Sequence, residues 1–464
     1  VPQGDVELRY ERSLWKRTTG LLTKVLQSSP PRTALLVFAL VIGLFTSLLM
    51  MPWATPGRSS AAVHDAMFVA TSAVTVTGLT PVNTADHWTL GGQIVILIGI
   101  QVGGLGIITM AALLAVSVTR HLGLRTRLIA QEGMSTGRLG EVGQLLKTVV
   151  ICSAVVQAAL AVVLIPRLIA LEGDVIRGAW YGLFYAISAF NNAGFVIHSD
   201  GLGGVGNDPL VVWTVMIGVF LGSLGFPVLY VLWKFRWHIK RWSLHAKLTL
   251  EVTTILLFIG AVVYAALEWN NTATIGDMGW LEKLQSSLFA SVNMRSGGFA
   301  VVESNLESSE TMLISDALMF AGGGSASTAG GIKVTTIAVI FLAFLAEARG
   351  HEESSAHGRT IPAQVVRVAV SVVAMGATAV LLSTLALMIV SGQDVERPLY
   401  ESVSAFATVG LTSGLTEELP PSGLYILTVL MFTGRVGIIT FAAALTVRQN
   451  RVRYRYPEGR PIIG

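Results

Sequence analysis

An all-α membrane protein, with eight transmembrane helices and four re-entrant half-helices arranged as four pseudo-symmetric repeats, is the fold class that three observations predict. The first is composition: 52% of the 464 residues are hydrophobic and 13% are charged, against roughly 25% charged in an average soluble domain. The second is a motif that occurs four times, as TSAVTVTGL (71 to 79), ISAFNNAGF (187 to 195), SVNMRSGGF (291 to 299) and VSAFATVGL (403 to 411). Each copy closes on a glycine followed by Leu or Phe, and Gly78, Gly194, Gly298 and Gly410 stand 116, 104 and 112 residues apart, the mark of an internal repeat. The third is the order of apolar runs, which goes long, short, long within each repeat.

Eight apolar runs near the ~20 residues that cross a bilayer core fall at about 33 to 53, 90 to 118, 146 to 170, 209 to 233, 248 to 268, 311 to 346, 363 to 391 and 422 to 447. Between the members of each pair lies a shorter apolar stretch, at 61 to 74, 179 to 190, 280 to 293 and 396 to 407. These are too short to span and read as half-helices that enter the membrane and turn back. The extended strand after each is tolerated at that depth only where it lines a water-filled cavity. The units are therefore repeat 1 at 33–118, repeat 2 at 146–233, repeat 3 at 248–346 and repeat 4 at 363–447, with an arm at 1–32 and a tail at 448–464. Four like helix–pore loop–helix repeats about one axis imply a central pore.

Charge fixes the expected orientation. The arm, the loops 119 to 147, 234 to 247 and 347 to 367, and the tail hold 24 Lys/Arg and 9 Asp/Glu, against 6 and 17 on the opposite side. Basic residues stay cytoplasmic, so both termini are expected inside and the half-helices enter from outside. The acidic outer face would concentrate cations at the mouth, or is simply what remains when Lys and Arg are kept away. Residues 1 to 32 are polar and basic and too long for the n-region of a signal peptide, and the chain begins at Val1, which leaves N-terminal processing open. Cys152, the single cysteine, lies in an apolar run and reads as core packing. Trp53, Trp88, Trp180, Trp233, Trp237 and Trp280 fall at span ends and read as an interfacial belt.

A glycine at the end of each half-helix points to a cation. Backbone carbonyls can replace an ion's hydration shell only if the chain takes dihedrals or close approaches that glycine accepts most easily. The C-terminal ends of the half-helices also carry partial negative charge and aim it at mid-membrane. Nearby side chains are small, hydroxylic or amide: Thr75, Thr77, Asn191, Asn192, Asn293, Ser296 and Thr408. No paired carboxylates are present to hold a divalent ion, so a monovalent cation is the natural ligand.

The helices that follow add two features. QVGGLGIIT (101 to 109), FLGSLGFPV (220 to 228) and FTGRVGIIT (432 to 440) align without a gap on Gly106, Gly225 and Gly437, which sets Arg435 where the other copies have Gly104 and Ser223. A charge in mid-membrane costs at least ~2.5 kcal/mol and faces a water-filled path or a partner. Arg435 is thus read as an electrostatic plug below the glycines, as half of a structural ion pair with Asp316 or Glu251, or as both at once. In repeat 3 the equivalent helix reads LMFAGGGSASTAGGIKVTT (318 to 336), whose five glycines should break it. Lys333, at the end of this stretch, is expected to pair with an acid or to snorkel to the interface.

These segments, TVTGL and ATVGL above all, resemble the filter loops of the Trk/Ktr/HKT superfamily of potassium transporters, and the resemblance covers nearly the whole chain. It implies a single-chain relative of the tetrameric K+ channels, whose TVGYG filter shares TVG with Thr408 to Gly410. K+ is then the substrate ion, Na+ a candidate activator or coupling ion, and no cofactor is expected in this chain. By the same resemblance the selectivity filter comprises Thr75, Val76, Thr77 and Gly78, then Asn192, Ala193 and Gly194, then Ser296, Gly297 and Gly298, and finally Thr408, Val409 and Gly410. The segment Gly322, Gly323, Gly324, Ser325, Ala326, Ser327, Thr328, Ala329, Gly330 and Gly331 becomes an intramembrane gate, with Arg435 beside it. Members are homodimers whose cytosolic face binds a nucleotide-binding regulatory ring of the RCK type, and the short basic loops here suit such a partner. A single span before the first filter and the ending RVRYRYPEGRPIIG favour the Ktr branch, although that tail equally suits a lipid anchor. Gly78 in place of serine puts the chain with the K+-selective members, and the expected location is a bacterial plasma membrane.

Enzymatic readings fail. The eight His residues are dispersed without metal spacing, and no set of nucleophile, base and orienter is present. GLGGVG (201 to 206) matches a dinucleotide fingerprint but lacks the strand before it, and GSASTAGGIK lacks the GK[ST] ending of a phosphate loop. Nothing marks a nucleic-acid partner. The alternatives left open are a secondary transporter of another small solute or cation, which would use the broken repeat 3 helix as its site, and a membrane scaffold with a vestigial pore.

Overall fold

The computed structural model describes residues 30–121, 139–236 and 238–437; the arm, most of the 119–147 loop, Trp237, the end of the last apolar run and the 448–464 tail lie outside the described residues. Helices carry most of it. They are α1 (Pro30–Leu49), α2 (Val63–Thr75) and α3 (Leu90–His121), then α4 (Leu139–Glu172), α5 (Val175–Asn191), α6 (Pro209–Leu224) and α7 (Phe226–Phe235). The second half holds α8 (Leu244–Glu268), α9 (Trp280–Met294), α10 (Ser309–Phe320), α11 (Val334–Ala348), α12 (Ala363–Ser391), α13 (Glu396–Ala407) and α14 (Pro421–Phe432).

Among the described residues, three helical stretches are long and apolar enough to cross a membrane, Lys147–Glu172, Leu244–Glu268 and Ala363–Ser391, and the bent pair α6 and α7 makes a fourth. Shorter apolar helices run over Leu35–Leu49, Leu90–Gly106 and Val334–Ala348. Outward faces are apolar: Leu382 and Ile389 of α12 are 61% and 84% exposed, a surface suited to acyl chains rather than water.

The short helices α2, α5, α9 and α13 are the packing centre. Each touches both long neighbours in its own stretch of chain, and each also packs on a helix from elsewhere: α5 on α3, α9 on α6, α13 on α10 and α2 on α14. These contacts close a circle. Buried side chains form two large clusters, one drawn mainly from residues 38–226 and the other mainly from 264–431. Phe289 and Phe299 from the second half sit in the first cluster, and Phe68 and Leu79 from the first half sit in the second.

Several expectations are corrected. The run at 209 to 233 is not one straight span: it bends by 98° between α6 and α7, at Gly225 with φ 91°, where Pro227 removes the backbone donor that a continuous helix would need. The 347 to 367 loop adds a small β-hairpin to an otherwise helical fold, β1 (Ser355–Ala356) against β2 (Arg359–Thr360). Trp88 does not join an interfacial belt; it is 1% exposed and meets His87 edge to face. Trp180 instead donates to Gln93 (2.9 Å), while Trp53, Trp233 and Trp280 are exposed. Cys152 is half-buried against the first cluster.

Candidate functional site: four close-set glycines and a non-helical loop

The four repeated segments share one backbone course. Two residues before each glycine the chain enters the left-handed region, at Val76 (φ 56°), Asn192 (φ 59°), Ser296 (φ 82°) and Thr408 (φ 48°). Gly78, Gly194, Gly298 and Gly410 follow with φ of 99°, 67°, 74° and 100°. A left-handed non-glycine residue ends the half-helix cheaply only when its N–H finds a carbonyl. Val76, Asn192 and Thr408 do so on Ala73, Ala189 and Ala405. In the third copy the helix stops one residue earlier relative to its glycine, at Met294, with Arg295 as the cap.

The four glycines lie in a circuit of backbone contacts that Val409 completes between Gly298 and Gly410. A Cβ on Gly78 would fall on the Ala193 carbonyl oxygen, 3.1 Å from Gly194 Cα; one on Gly194 would lie 2.9 Å from Gly298 Cα. One on Gly298 would fall on the Val409 carbonyl oxygen, and one on Gly410 on the Thr77 carbonyl oxygen, 3.1 Å from Gly78 Cα. No side chain fits this circle. The carbonyls around it belong to Thr77, Ala193 and Val409, each directly before a ring glycine.

Serines in the half-helices hold these strands, a role that sequence reasoning missed although the SA pair stands in three of the four motifs. Ser72 and Ser404 accept from the N–H of Gly78 (3.0 Å) and Gly410 (3.1 Å), and Ser188 donates to the Phe195 carbonyl (3.1 Å). In the third copy Asn293 Oδ1 accepts from Phe299 N–H (3.2 Å). The third copy also carries Arg295, 3% exposed, which donates to the Thr253 carbonyl (2.8 Å) on α8. Thr75 and Thr77 bond each other through their hydroxyls (2.8 Å). The helices that follow the strands approach just as closely: Cβ atoms on Gly103, Gly222 and Gly434 would strike the carbonyls of Val74, Phe190 and Phe406, each four residues before its ring glycine.

Residues 321–333 join α10 to α11 without forming helix, as the glycines predict. The loop seats on the bend at Gly225: Gly324 N–H donates to the Ser223 carbonyl (2.8 Å), Phe226 N–H to the Ala326 carbonyl (3.2 Å) and Thr328 N–H to the Gly222 carbonyl (3.3 Å). It also reaches the glycine-bearing strands. The Thr328 hydroxyl lies 2.8 Å from Asn192 Oδ1, and Gly330 N–H donates to Ser296 Oγ (2.9 Å). Ser296 in turn donates to the Thr408 carbonyl (3.1 Å).

Arg435 closes the set from a π-helical turn, Thr433–Gly437, a local distortion of the helix common at functional positions. It is 2% exposed, donates to Thr408 Oγ1 (3.3 Å) and hydrogen-bonds the Thr328 carbonyl. The expected ion-pair alternative is not realised: Glu251 pairs with His357 (2.9 Å), and Asp316 makes no ion pair among the described residues. Lys333 neither meets an acid nor snorkels; its ammonium turns back to the Ala329 carbonyl (2.7 Å). No group of His, Cys, Asp and Glu able to hold a metal occurs among the described residues.

Helices long and apolar enough to cross a bilayer, packed around four close-set glycines, define a helical membrane protein. The chain belongs to the TrkH family of cation transport proteins, whose profile matches residues 31–452. Members of this family are ion transporters, not enzymes. The chain is 37% identical over 441 residues to the Ktr system potassium uptake protein B of Bacillus subtilis, covering 95% of this chain and 98% of that one. It is 36% identical over 437 residues to the protein of the same name from Vibrio alginolyticus, covering 94% and 95%. In fold it is similar to the potassium transporter TrkH from Vibrio parahaemolyticus, with a TM-score of 0.72 at 18% identity, over 89% of this chain and 84% of that one.

Proposed function

We propose that this chain is the ion-translocating membrane subunit of a K+ uptake system. Ions enter from the outer side, shed water against carbonyls of 75–78, 192–194, 296–298 and 408–410, and pass below when residues 322–331 and Arg435 move aside. The observation that carries this reading is the contact circuit of Gly78, Gly194, Gly298 and Gly410, with the carbonyl oxygens of Thr77, Ala193 and Val409 against neighbouring ring glycines. Ring carbonyls in a water-poor site replace a hydration shell without fixed charge, which favours a monovalent cation. The potassium uptake named for both relatives supports K+ as that cation.

The loop, bonded to the strands of Asn192 and Ser296 and to Arg435, is the closed gate. Its cytoplasmic control by a nucleotide-binding RCK-type ring, the homodimer and the inward termini remain part of the proposal, supported by the Ktr-system names of the relatives and by the basic loops.

The test is radiolabelled Rb+ uptake into liposomes holding the purified chain, with Na+ as competitor, beside Gly78→Ser. A serine Cβ there would fall on the Ala193 carbonyl, so Rb+ uptake with discrimination reduced by the substitution supports the filter. Absence of uptake, with and without cytosolic partner, turns the reading toward a transporter of another solute.

A further inference from the structure

Beyond the ring glycines the chain must leave the membrane without letting its carbonyls drift, and one side chain does most of this holding. Glu401, on α13 and fully buried, stands nine residues before Gly410. Its Oε1 accepts from the Thr412 hydroxyl (2.6 Å), the Ser413 N–H (2.8 Å) and the Ser413 hydroxyl (3.0 Å), and its Oε2 from the Thr416 hydroxyl (2.6 Å). The position repeats. Nine residues before Gly194, buried Tyr185 presents a hydroxyl that accepts from Ile197 N–H (3.3 Å), three residues past the glycine as Ser413 is past Gly410.

The repeats without an acceptor there differ in kind. In the first, Val69 occupies the position, and the residue three past Gly78 is Pro81, which has no N–H to satisfy. In the third the position is Phe289, and the brace comes instead from Asn293 to Phe299. A buried carboxylate is costly unless its lone pairs are filled, and here four donors fill them, all from the segment just past the ring.

We propose that Glu401 is the principal positioning residue of the filter, with Tyr185 its counterpart in repeat 2. They clamp the outgoing strand to the half-helix, so the carbonyls between keep a spacing that distinguishes K+ from Na+. The inference rests on the filter reading above.

The test uses the full chain in liposomes and reads the K+/Na+ discrimination ratio, the half-saturating K+ concentration and the maximal rate, with Rb+ as tracer. Three variants are compared. Glu401→Gln keeps the size and loses the charge. Tyr185→Phe removes one hydroxyl. Glu268→Gln is the control: Glu268 is equally buried and accepts from Ser308, Thr311, Thr274 and Asn271, but it anchors the start of α10, away from the ring.

Glu401→Gln should lower discrimination about tenfold and weaken half-saturation, with the maximal rate held within about twofold, the scale of losing a charge-assisted bond. Tyr185→Phe should lower discrimination about two- to threefold, and Glu268→Gln should lower thermal stability alone. Wild-type discrimination in both Glu401→Gln and Tyr185→Phe overturns the proposal, as does an equal loss in Glu268→Gln. If Glu401→Gln does not fold, Thr416→Val, which deletes one donor, is judged by the same criterion beside Tyr185→Phe. A wild-type chain that carries no Rb+ defeats the filter reading itself, whereas a selective wild type with selective variants defeats only the positioning role.

Discussion

Under the proposed gate, replacing Arg435 separates two ways of keeping a path shut. The guanidinium ties the π-turn after α14 to Thr408 and to the Thr328 carbonyl of the loop, and bonds from a charged donor contribute about 1.5–3 kcal/mol each. Against that stands the cost of a buried cation without a carboxylate partner, at least ~2.5 kcal/mol. The remainder, about 1–3 kcal/mol in favour of the closed arrangement, corresponds to roughly 5- to 150-fold in the open fraction. Arg435→Ala should therefore raise Rb+ uptake into liposomes within that range in the absence of a regulator. Arg435→Lys discriminates the causes: a point charge remains but the planar fork is gone. If the side chain acts as an electrostatic plug, the lysine variant stays near wild type; if it acts as a tie, uptake rises part of the way. Thr328→Val, which removes the hydroxyl contacts to Asn192, Phe190 and Gly222, gives a double-mutant cycle, and the tie predicts non-additive gains. Uptake unchanged or lowered in a well-folded Arg435→Ala protein would refute the reasoning.

Gly330→Ala should also raise basal uptake, because its Cβ would fall on the Thr408 hydroxyl and within 2.6 Å of the Ala407 carbonyl; Gly350→Ala, with φ 69° and open space around it, should cost only about 1–2 kcal/mol of backbone strain and leave uptake alone. Gly410→Ala should abolish uptake more severely than Gly57→Ala in the same assay, since only the former meets neighbouring backbone. At the start of α6, Arg167 hydrogen-bonds Asp208 (2.7 Å) and holds its carboxyl below the usual range. That stabilisation is present above the unfolded pKa of about 3.9 and is lost as pH falls through the lower folded value. Thermal unfolding of Asp208→Asn, which keeps a capping oxygen, should fall below wild type at neutral pH, with the two curves converging in acid.

The motif spacing was enough to locate the half-helices, because a glycine after a short apolar run leaves few alternatives at membrane depth: 61 to 74 corresponds to Val63–Thr75, and 280 to 293 to Trp280–Met294. The break at 321–333 was legible for the same reason, through five glycines. The bend at Gly225 was not read, although Pro227 beside it was the signal; periodicity averages over such a point. Arg435 was singled out by register alone, but its partners were not, since a carbonyl from a loop a hundred residues away leaves no mark in sequence. Trp88 was misplaced because span-end position says nothing about which way the ring faces. Ser72, Ser188 and Ser404 were visible as a recurring SA pair, yet a small hydroxyl in an apolar helix is ordinary until its acceptor is known.

The four strands that meet at the ring belong to one polypeptide, which frees the arrangement from the constraints of a symmetric assembly. In four identical subunits any side chain occurs fourfold, so a guanidinium at the position of Arg435 would bring four positive charges to one axis. Here it occurs once, the loop beneath the ring occurs once, and Glu401 braces a single quadrant. Each quarter can diverge by ordinary point mutation: repeat 4 carries both Glu401 and Arg435, and repeat 3 carries the glycine-rich loop. A single substitution therefore alters one quadrant and leaves the other three as they were.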